Sequence, residues 1–243
     1  MESLEMGTGF SADIFDSQHY IEINEARWDA AERVVEALSA GGELSTCYDV
    51  GCGPGWFAEK LVGLGIDVTG IEARSELVDK ARKRVPGATF VQCDLDVPLL
   101  SRHLSAADFV FCFGLLYHLE NPFRAIRNLY QLTRHYCLVE SIMIPGDSPQ
   151  YCLVQESSNV NQGMTHCALI PSLAAMTKML YAAGFSHVYR CRLPVEHPDF
   201  VETDVVYQRR SILLAAHGRV ELEFLEQLAV PQAPKYSFLK NVC

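Results

Sequence analysis

No lysine precedes Lys60, and no stretch approaches the roughly twenty consecutive apolar residues that a membrane-spanning helix requires. The longest apolar run, Phe109 to Leu119, has eleven residues and is closed by Asp108 on one side and Glu120 on the other. The opening MESLEMGTGF carries acids where a secretory signal needs basic residues and an apolar core. The expectation is a cytoplasmic protein with no membrane partner. Nine cysteines include no CxxC pair, and an odd number does not suit a disulfide framework. Cys47, Cys52, Cys93, Cys112 and Cys137 lie in apolar, strand-like stretches, where cysteine acts as a small hydrophobe suited to a reducing compartment. Basic excess is also missing. The net charge is −10, and residues 1–45 hold ten acids against Arg27 and Arg33, while the rest is nearly balanced. Nucleic-acid binding needs Lys and Arg to replace phosphate counterions, so a nucleic-acid partner is disfavoured. Lys80, Arg82, Lys83 and Arg84 read as the solvated face of one helix.

What the 243 residues do contain is a regular alternation of strand and helix patterns. Cys47–Val50, Ile66–Ile71, Thr89–Gln92, Asp108–Phe113 and Tyr136–Ile142 read as strands. Helices are expected over Trp56–Leu64, over Ser75–Val85 up to Pro86-Gly87, and from Pro122 with Phe123, Ile126, Leu129 and Leu132. Asp108–Phe113 is too apolar to have a wet face and reads as buried on both sides. Met143 to Ile170 has no clear period and reads as a functional or partly helical lid. A helix from Pro171 to Gly184 and strands at Phe185–Arg190 and Ser211–Ala216 follow. Repeated βα units predict an α/β fold, a mostly parallel sheet with helices on both faces. An acidic helical segment in residues 1–45 precedes a catalytic domain over 46–217, with 143–170 as the lid and 218–243 as a tail. The tail, with Phe224, Leu225, Leu228, Tyr236, Phe238 and Leu239, is apolar enough to cover its own core or that of a second copy in a homodimer.

The informative motif is Tyr48-Asp49-Val50-Gly51-Cys52-Gly53-Pro54-Gly55, at the first strand-to-helix switch, where the crevice of such a sheet opens. Glycines there let the backbone turn sharply and approach a ligand closely. A dinucleotide-binding turn wants a further Gly or Ala where this chain has Trp56, and Asp49 would repel a pyrophosphate. A carboxylate before the turn suits a cationic ligand instead.

Over residues 46–216 the chain resembles class I S-adenosylmethionine-dependent methyltransferases. The resemblance implies a Rossmann-like seven-stranded sheet of order 3-2-1-4-5-7-6, S-adenosylmethionine as the cofactor, and S-adenosylhomocysteine as its product. Asp49, Gly51, Cys52, Gly53 and Gly55 match the first motif, whose acid lies near the methionine amino group. Glu72, ending Val68-Thr69-Gly70-Ile71-Glu72, matches the acid that takes the ribose hydroxyls. Asp94-Leu95 matches the pair around the adenine, and Phe113-Gly114 falls where the fourth strand passes the sulfonium. Such a ligand brings a cation and donors but no phosphate, so acids at all three strand ends make chemical sense.

Gly114-Leu115-Leu116-Tyr117-His118, Leu138-Val139-Glu140, Asn161, Ile170-Pro171-Ser172 and Gly184-Phe185 resemble a branch that includes tRNA wobble-uridine carboxymethyltransferases, whose donor is carboxy-S-adenosylmethionine. Tyr117 and Arg210 match two contacts to that donor's carboxylate. The chain departs from the branch in having no lysine upstream of the glycine motif, an acidic rather than basic N-terminal region, and Leu119-Glu120 in place of a basic pair.

Methyl transfer is an in-line displacement that depends on alignment in a dry pocket. His118 is the candidate base, and Tyr117 is expected along the transfer channel. Glu140, Arg210 and Trp28 are candidate substrate contacts, with Glu156 and His166 available from the lid. Tyr20, Arg27 and Trp28 lie in the segment that closes over the cofactor in many members of the family, although helix packing explains Trp28 equally well. No ExxEH-like cluster supports a metal. The favoured function is methylation of a small-molecule acceptor. A methyl or carboxymethyl transferase acting on tRNA uridine is the alternative, and a non-catalytic S-adenosylmethionine-binding or partner subunit is a reading of another class.

Overall fold

The computed structural model describes residues 14–42, 44–98, 104–201 and 210–230. Tyr236, Phe238 and Leu239 of the proposed tail cover lie outside the described residues. Helix α1 (Gln18–Ser39) comes first, with Ser17 as its N-cap. Strand β1 (Thr46–Val50), helix α2 (Trp56–Gly63), β2 (Asp67–Glu72), α3 (Ser75–Arg84), β3 (Thr89–Gln92), β4 (Ala107–Phe113), α4 (Pro122–Leu132) and β5 (Thr133–Ile142) follow. A hairpin of β6 (Tyr151–Gln155) and β7 (Cys167–Pro171) precedes α5 (Leu173–Ala183), β8 (His187–Cys191), β9 (Arg210–Ala216) and β10 (Leu225–Gln227).

The main sheet runs β10-β8-β9-β5-β4-β1-β2-β3. Its β3-to-β5 half is parallel, and β9, β8 and β10 add antiparallel to the far edge. This is the strand order that the family resemblance implies, with an eighth strand added to seven. The extra strand is β10, only three residues long, which covers the edge of β8 that would otherwise stay unpaired.

All seven residues of β4 are buried, as its apolar run requires in a strand covered on both faces. The period of two then divides them. Phe109, Phe111 and Phe113 join α1, α2 and α3 on one face, and Val110 and Cys112 join α4 and α5 on the other. Phe111 stacks on Phe113 at 4.1 Å and meets Phe57 at 5.0 Å, so Phe111→Ala would remove the middle of an aromatic row at a cost of about 3–5 kcal/mol.

Two sequence readings change. The segment 143–170 is a two-stranded antiparallel hairpin rather than a loop or helix. Ala168 and Ile170 of the hairpin pack on Tyr117 and Ile144. Pro171 ends β7 instead of opening α5, whose N-cap is Ser172, with its hydroxyl accepting from the Ala175 amide.

At the opposite end of the sheet, Asp108 ties β4 to the start of β1. Its Oδ2 accepts from the amides and hydroxyls of Ser45 and Thr46 at 2.7–3.1 Å, and Arg134 pairs with the other oxygen. Asp108→Ala would leave these donors without their common acceptor. A loss of about 2–3 kcal/mol is expected, measured as a lower urea midpoint with unchanged slope.

Candidate functional site

The carboxyl ends of β1, β2 and β4 open into a cavity of about 670 Å³, roofed by α1 and by the β6–β7 hairpin. The glycine turn forms one wall. Gly51 and Gly53 hold φ of 75° and 52°, which disfavours any side chain. A Cβ on Gly51 would also meet Leu115 at 2.9 Å, whereas one on Gly53 would face open cavity, its nearest neighbour Phe15 at 3.9 Å. Gly55 acts differently. It does not line the cavity, and its Cα faces α3, where a Cβ would press on Ala81 at 3.2 Å. Its role is helix packing, not the ligand contact expected from the sequence.

Cys52, Glu72, Asp94, Leu95 and Phe113 line the cavity. Glu72 is held by the Gly53 amide at 3.1 Å and the Arg74 amide at 3.0 Å, which fixes its carboxylate between the turn and the end of β2. Asp94 accepts from the Asp96 amide at 2.9 Å. Asp49 sits one residue behind the turn, 2% exposed and outside the cavity lining, with Oδ2 unpartnered. Burial pushes its carboxyl up to about 7, and nearby Glu72 adds to the rise against a lowering hydrogen bond from the Ala58 amide.

A second cluster lies across the cavity. Tyr117 and His118 form the one-turn helix Leu116–His118 that follows β4, with rings 4.1 Å apart. Arg210, at the start of β9, donates to Glu140 Oε1 at 2.9 Å and to the Tyr117 hydroxyl at 3.5 Å, and its Nε reaches Asp199 at 3.2 Å. Burial opposes the Arg210 charge, but Tyr117 and Glu140 outweigh it and hold the guanidinium above its ordinary value. Arg27 enters the same cluster from α1. Its NH1 donates to Asn24 at 3.0 Å, and its Nε lies 3.6 Å from Glu140 Oε2 without a hydrogen bond to either atom. Burial lowers the Arg27 pKa, with Glu140 opposing. NH1 and NH2 of Arg27 come within 3.7 and 4.0 Å of the Cβ position of Gly114, and the Tyr117 hydroxyl within 3.9 Å.

Trp28 is not part of this site. It is 4% exposed, packs on Phe111 and does not line the cavity, because its position on α1 points into the sheet. Arg27, one residue earlier, faces the cavity instead. The sequence does carry a signal for it: a charge on the helix stripe formed by Ile23, Ala30, Ala31 and Val34. Glu140 is fully buried behind Arg210 and does not line the cavity. Asp199 and the partnership of Glu156 with His118 have no local signal. Glu156 Oε1 lies 2.7 Å from His118 Nδ1.

The family described as "Methyltransferase domain" matches residues 48–137. Residues 48–137 are a methyltransferase domain. The chain is 31% identical to a tRNA U34 carboxymethyltransferase of Edwardsiella ictaluri over 176 residues, 68% of this chain and 50% of that protein. It is also 33% identical to a ubiquinone biosynthesis O-methyltransferase of Coxiella burnetii over 89 residues, 35% of this chain and 38% of that protein. The chain therefore spans about half or less of the length of the curated relatives it matches. Among solved structures, the N-terminal domain of EvdMO1 with SAH bound aligns with a TM-score of 0.63 at 17% identity, over 82% of this chain and 84% of that one. Magnesium protoporphyrin IX methyltransferase from Synechocystis PCC 6803 aligns at 0.57 and 19% identity, over 86% and 96%.

The matched part of the methyltransferase domain holds the glycine turn, Glu72, Asp94, Tyr117 and His118. Arg27, Glu140, Glu156 and Arg210 lie outside it. No helix among the described residues is long and apolar enough to cross a membrane, and the same residues contain no group of three or more potential metal ligands.

Proposed function

We propose that the chain binds S-adenosylmethionine and transfers its methyl group to a small-molecule acceptor. The observation that carries the donor is the unpartnered, buried Asp49 oxygen behind an open glycine turn, with Glu72 and Asp94 along the same cavity. That set of acceptors fits a ligand with an ammonium at one end, a ribose diol in the middle and an adenine amine at the other. The bound donor supplies an electrophilic methyl on a sulfonium. Phe113 and Tyr117 flank the channel through which an acceptor would approach it.

Ile142, Val154, Ala168 and Ile170 line the part of the cavity beneath the hairpin, an apolar chamber suited to the body of a small acceptor. The cavity volume falls in the range of about 300–1,000 Å³ usual for small-molecule sites. Glu22, Glu25, Asp29 and Glu36 face outward from α1, a poor landing surface for a polyanion. The test is calorimetry with S-adenosylmethionine, S-adenosylhomocysteine, carboxy-S-adenosylmethionine and NADH. Binding of the first two, weakened at least 30-fold by Glu72→Ala, is expected. Binding of NADH alone, or of no adenosyl ligand, would overturn the reading.

A second reading, a carboxymethyl transferase acting on tRNA uridine, is favoured by Arg27. It brings a second guanidinium to the side of Tyr117 and Arg210, in a chain that has no lysine there. Two guanidiniums and a hydroxyl suit a carboxylate on the donor. Glu140 and Asp199 already balance those charges, which supports the uncharged methyl instead. Arg27→Ala separates the two. It should leave S-adenosylmethionine binding within about threefold, but weaken carboxy-S-adenosylmethionine at least tenfold if the second reading holds.

A further inference from the structure

The hairpin does more than cover the apolar chamber, because its turn brings a carboxylate to the ring of His118. Glu156 follows directly on β6, and its side chain is 7% exposed. Oε1 lies 2.7 Å from His118 Nδ1, and Oε2 accepts from the Gly163 amide at 2.9 Å. The Glu156 amide donates to the His166 carbonyl at 2.8 Å, and Gln155 Nε2 donates to the same carbonyl at 2.7 Å. Arg74, beside Glu72, donates to the Gln162 carbonyl from the other side of the cavity. Gly163 is seated so closely that a Cβ would stand 2.8 Å from the His118 carbonyl oxygen and 2.9 Å from Glu156 Oε2. The turn is therefore clamped onto the His118 segment at one end and onto the β2 end at the other.

Nδ1 and Oε1 are close but do not form an aligned hydrogen bond, so Glu156 acts on the ring as a nearby negative charge. Burial raises the Glu156 carboxyl, but adjacent His118, the Gly163 amide and His166 outweigh it and keep the group below its ordinary range. An ionised carboxylate only accepts, so the proton of a neutral His118 belongs on Nδ1 and the lone pair on Nε2.

We propose that Glu156 is a positioning residue that holds His118 in the Nδ1–H form, with Nε2 as base for an acceptor hydroxyl in the chamber lined by Ile142, Val154, Ala168 and Ile170. This rests on the methyl-transfer reading above and names its acceptor class: an apolar molecule bearing an O–H group. The acceptor oxygen forms its bond to the methyl carbon as the carbon–sulfur pair returns to sulfur. The hydroxyl proton passes to Nε2, and Glu156 balances the imidazolium until the proton leaves to solvent. An acceptor that arrives already deprotonated has no use for the pair.

The experiment is long-range proton–nitrogen NMR of the full chain at pH 8 with S-adenosylhomocysteine, the His118 signals being assigned by their loss in His118→Asn. The wild type should show His118 with Nδ1 protonated and Nε2 bare. Glu156→Leu should move the majority to Nε2–H. Gly163→Ala keeps both side chains but lifts the turn, and should do the same. A wild-type spectrum with the proton on Nε2, or Nδ1–H retained in folded Glu156→Leu, would overturn the proposal. Calorimetric titration of the same wild-type sample with S-adenosylhomocysteine tests the methyl-transfer reading separately, since a missing donor leaves the Nδ1–H signal in place.

Discussion

Asp49→Asn should stabilise the ligand-free protein at pH 8 by about 3–4 kcal/mol while abolishing donor binding. The free-acid value of 3.8 is pushed up to about 7 by burial, so between those values the folded state holds a proton that the unfolded state has lost. Stability contributed by this group is complete below pH 4, falls as pH rises, and is gone above pH 7. The amide keeps the shape and can accept from Ala58 but has no charge to desolvate. Urea titrations should therefore give equal midpoints for wild type and variant near pH 4, and a rising advantage for the variant up to pH 8. For a protein whose whole stability is about 5–15 kcal/mol, this is a large share. In the proposed function the carboxylate has a use: an ammonium brought against Oδ2 would restore the ionised form. Donor binding should accordingly release close to one proton at pH 6 and almost none at pH 8, read from calorimetry in buffers of different ionisation enthalpy. An Asp49→Asn variant no more stable at pH 8 than wild type would mean that the carboxylate is solvated, and that the glycine turn has no buried charge behind it.

The strand ends were legible in the sequence because their signals are local. Buried strand runs end close to acids, with Asp49 one residue before the end of β1, Glu72 at the end of β2 and Asp94 two residues past β3, and the positive-φ glycine turn follows β1 directly. The second cluster is only half legible. Arg210 stands opposite Ile142 in the β5–β9 ladder, and Glu140 stands opposite Ile212, so the two charges are diagonal neighbours on one face. That register depends on pairing strands separated by the whole hairpin and α5, which no local pattern encodes. The hairpin escaped notice for a related reason. Strand β6 alternates half-buried with exposed residues, including Leu153 at 68% exposure, so apolar side chains fall on its wet face and blur the period. With the hairpin unplaced, Glu156 could be named only as a lid residue, and its partner could not be seen. Trp28 and Arg27 show the converse. On an amphipathic helix one residue of offset turns a side chain by about 100°, enough to exchange the sheet for the cavity.

Glu140→Ala should destabilise the protein by about 3–5 kcal/mol, the cost of leaving buried guanidiniums without their shared acid. The loss falls unequally. Arg210 keeps Asp199 and Tyr117, whereas Arg27 keeps the neutral Asn24 and has its charge already disfavoured by burial. Removing the Arg27 charge as well should therefore help: the double variant Arg27→Met, Glu140→Met should recover more than about 1 kcal/mol over Glu140→Ala, although two positions are changed instead of one. If Arg27 were solvated through the cavity, the double variant would be the less stable of the two. The same pair bears on the donor. In Glu140→Gln Arg27 loses its acid and Arg210 keeps only Asp199, and an added carboxylate is the ligand that replaces the lost charge. Carboxy-S-adenosylmethionine should then gain affinity over S-adenosylmethionine by about tenfold relative to wild type. An unchanged ratio would place the two arginines beyond reach of the donor and leave them a purely structural bond between α1, β5 and β9.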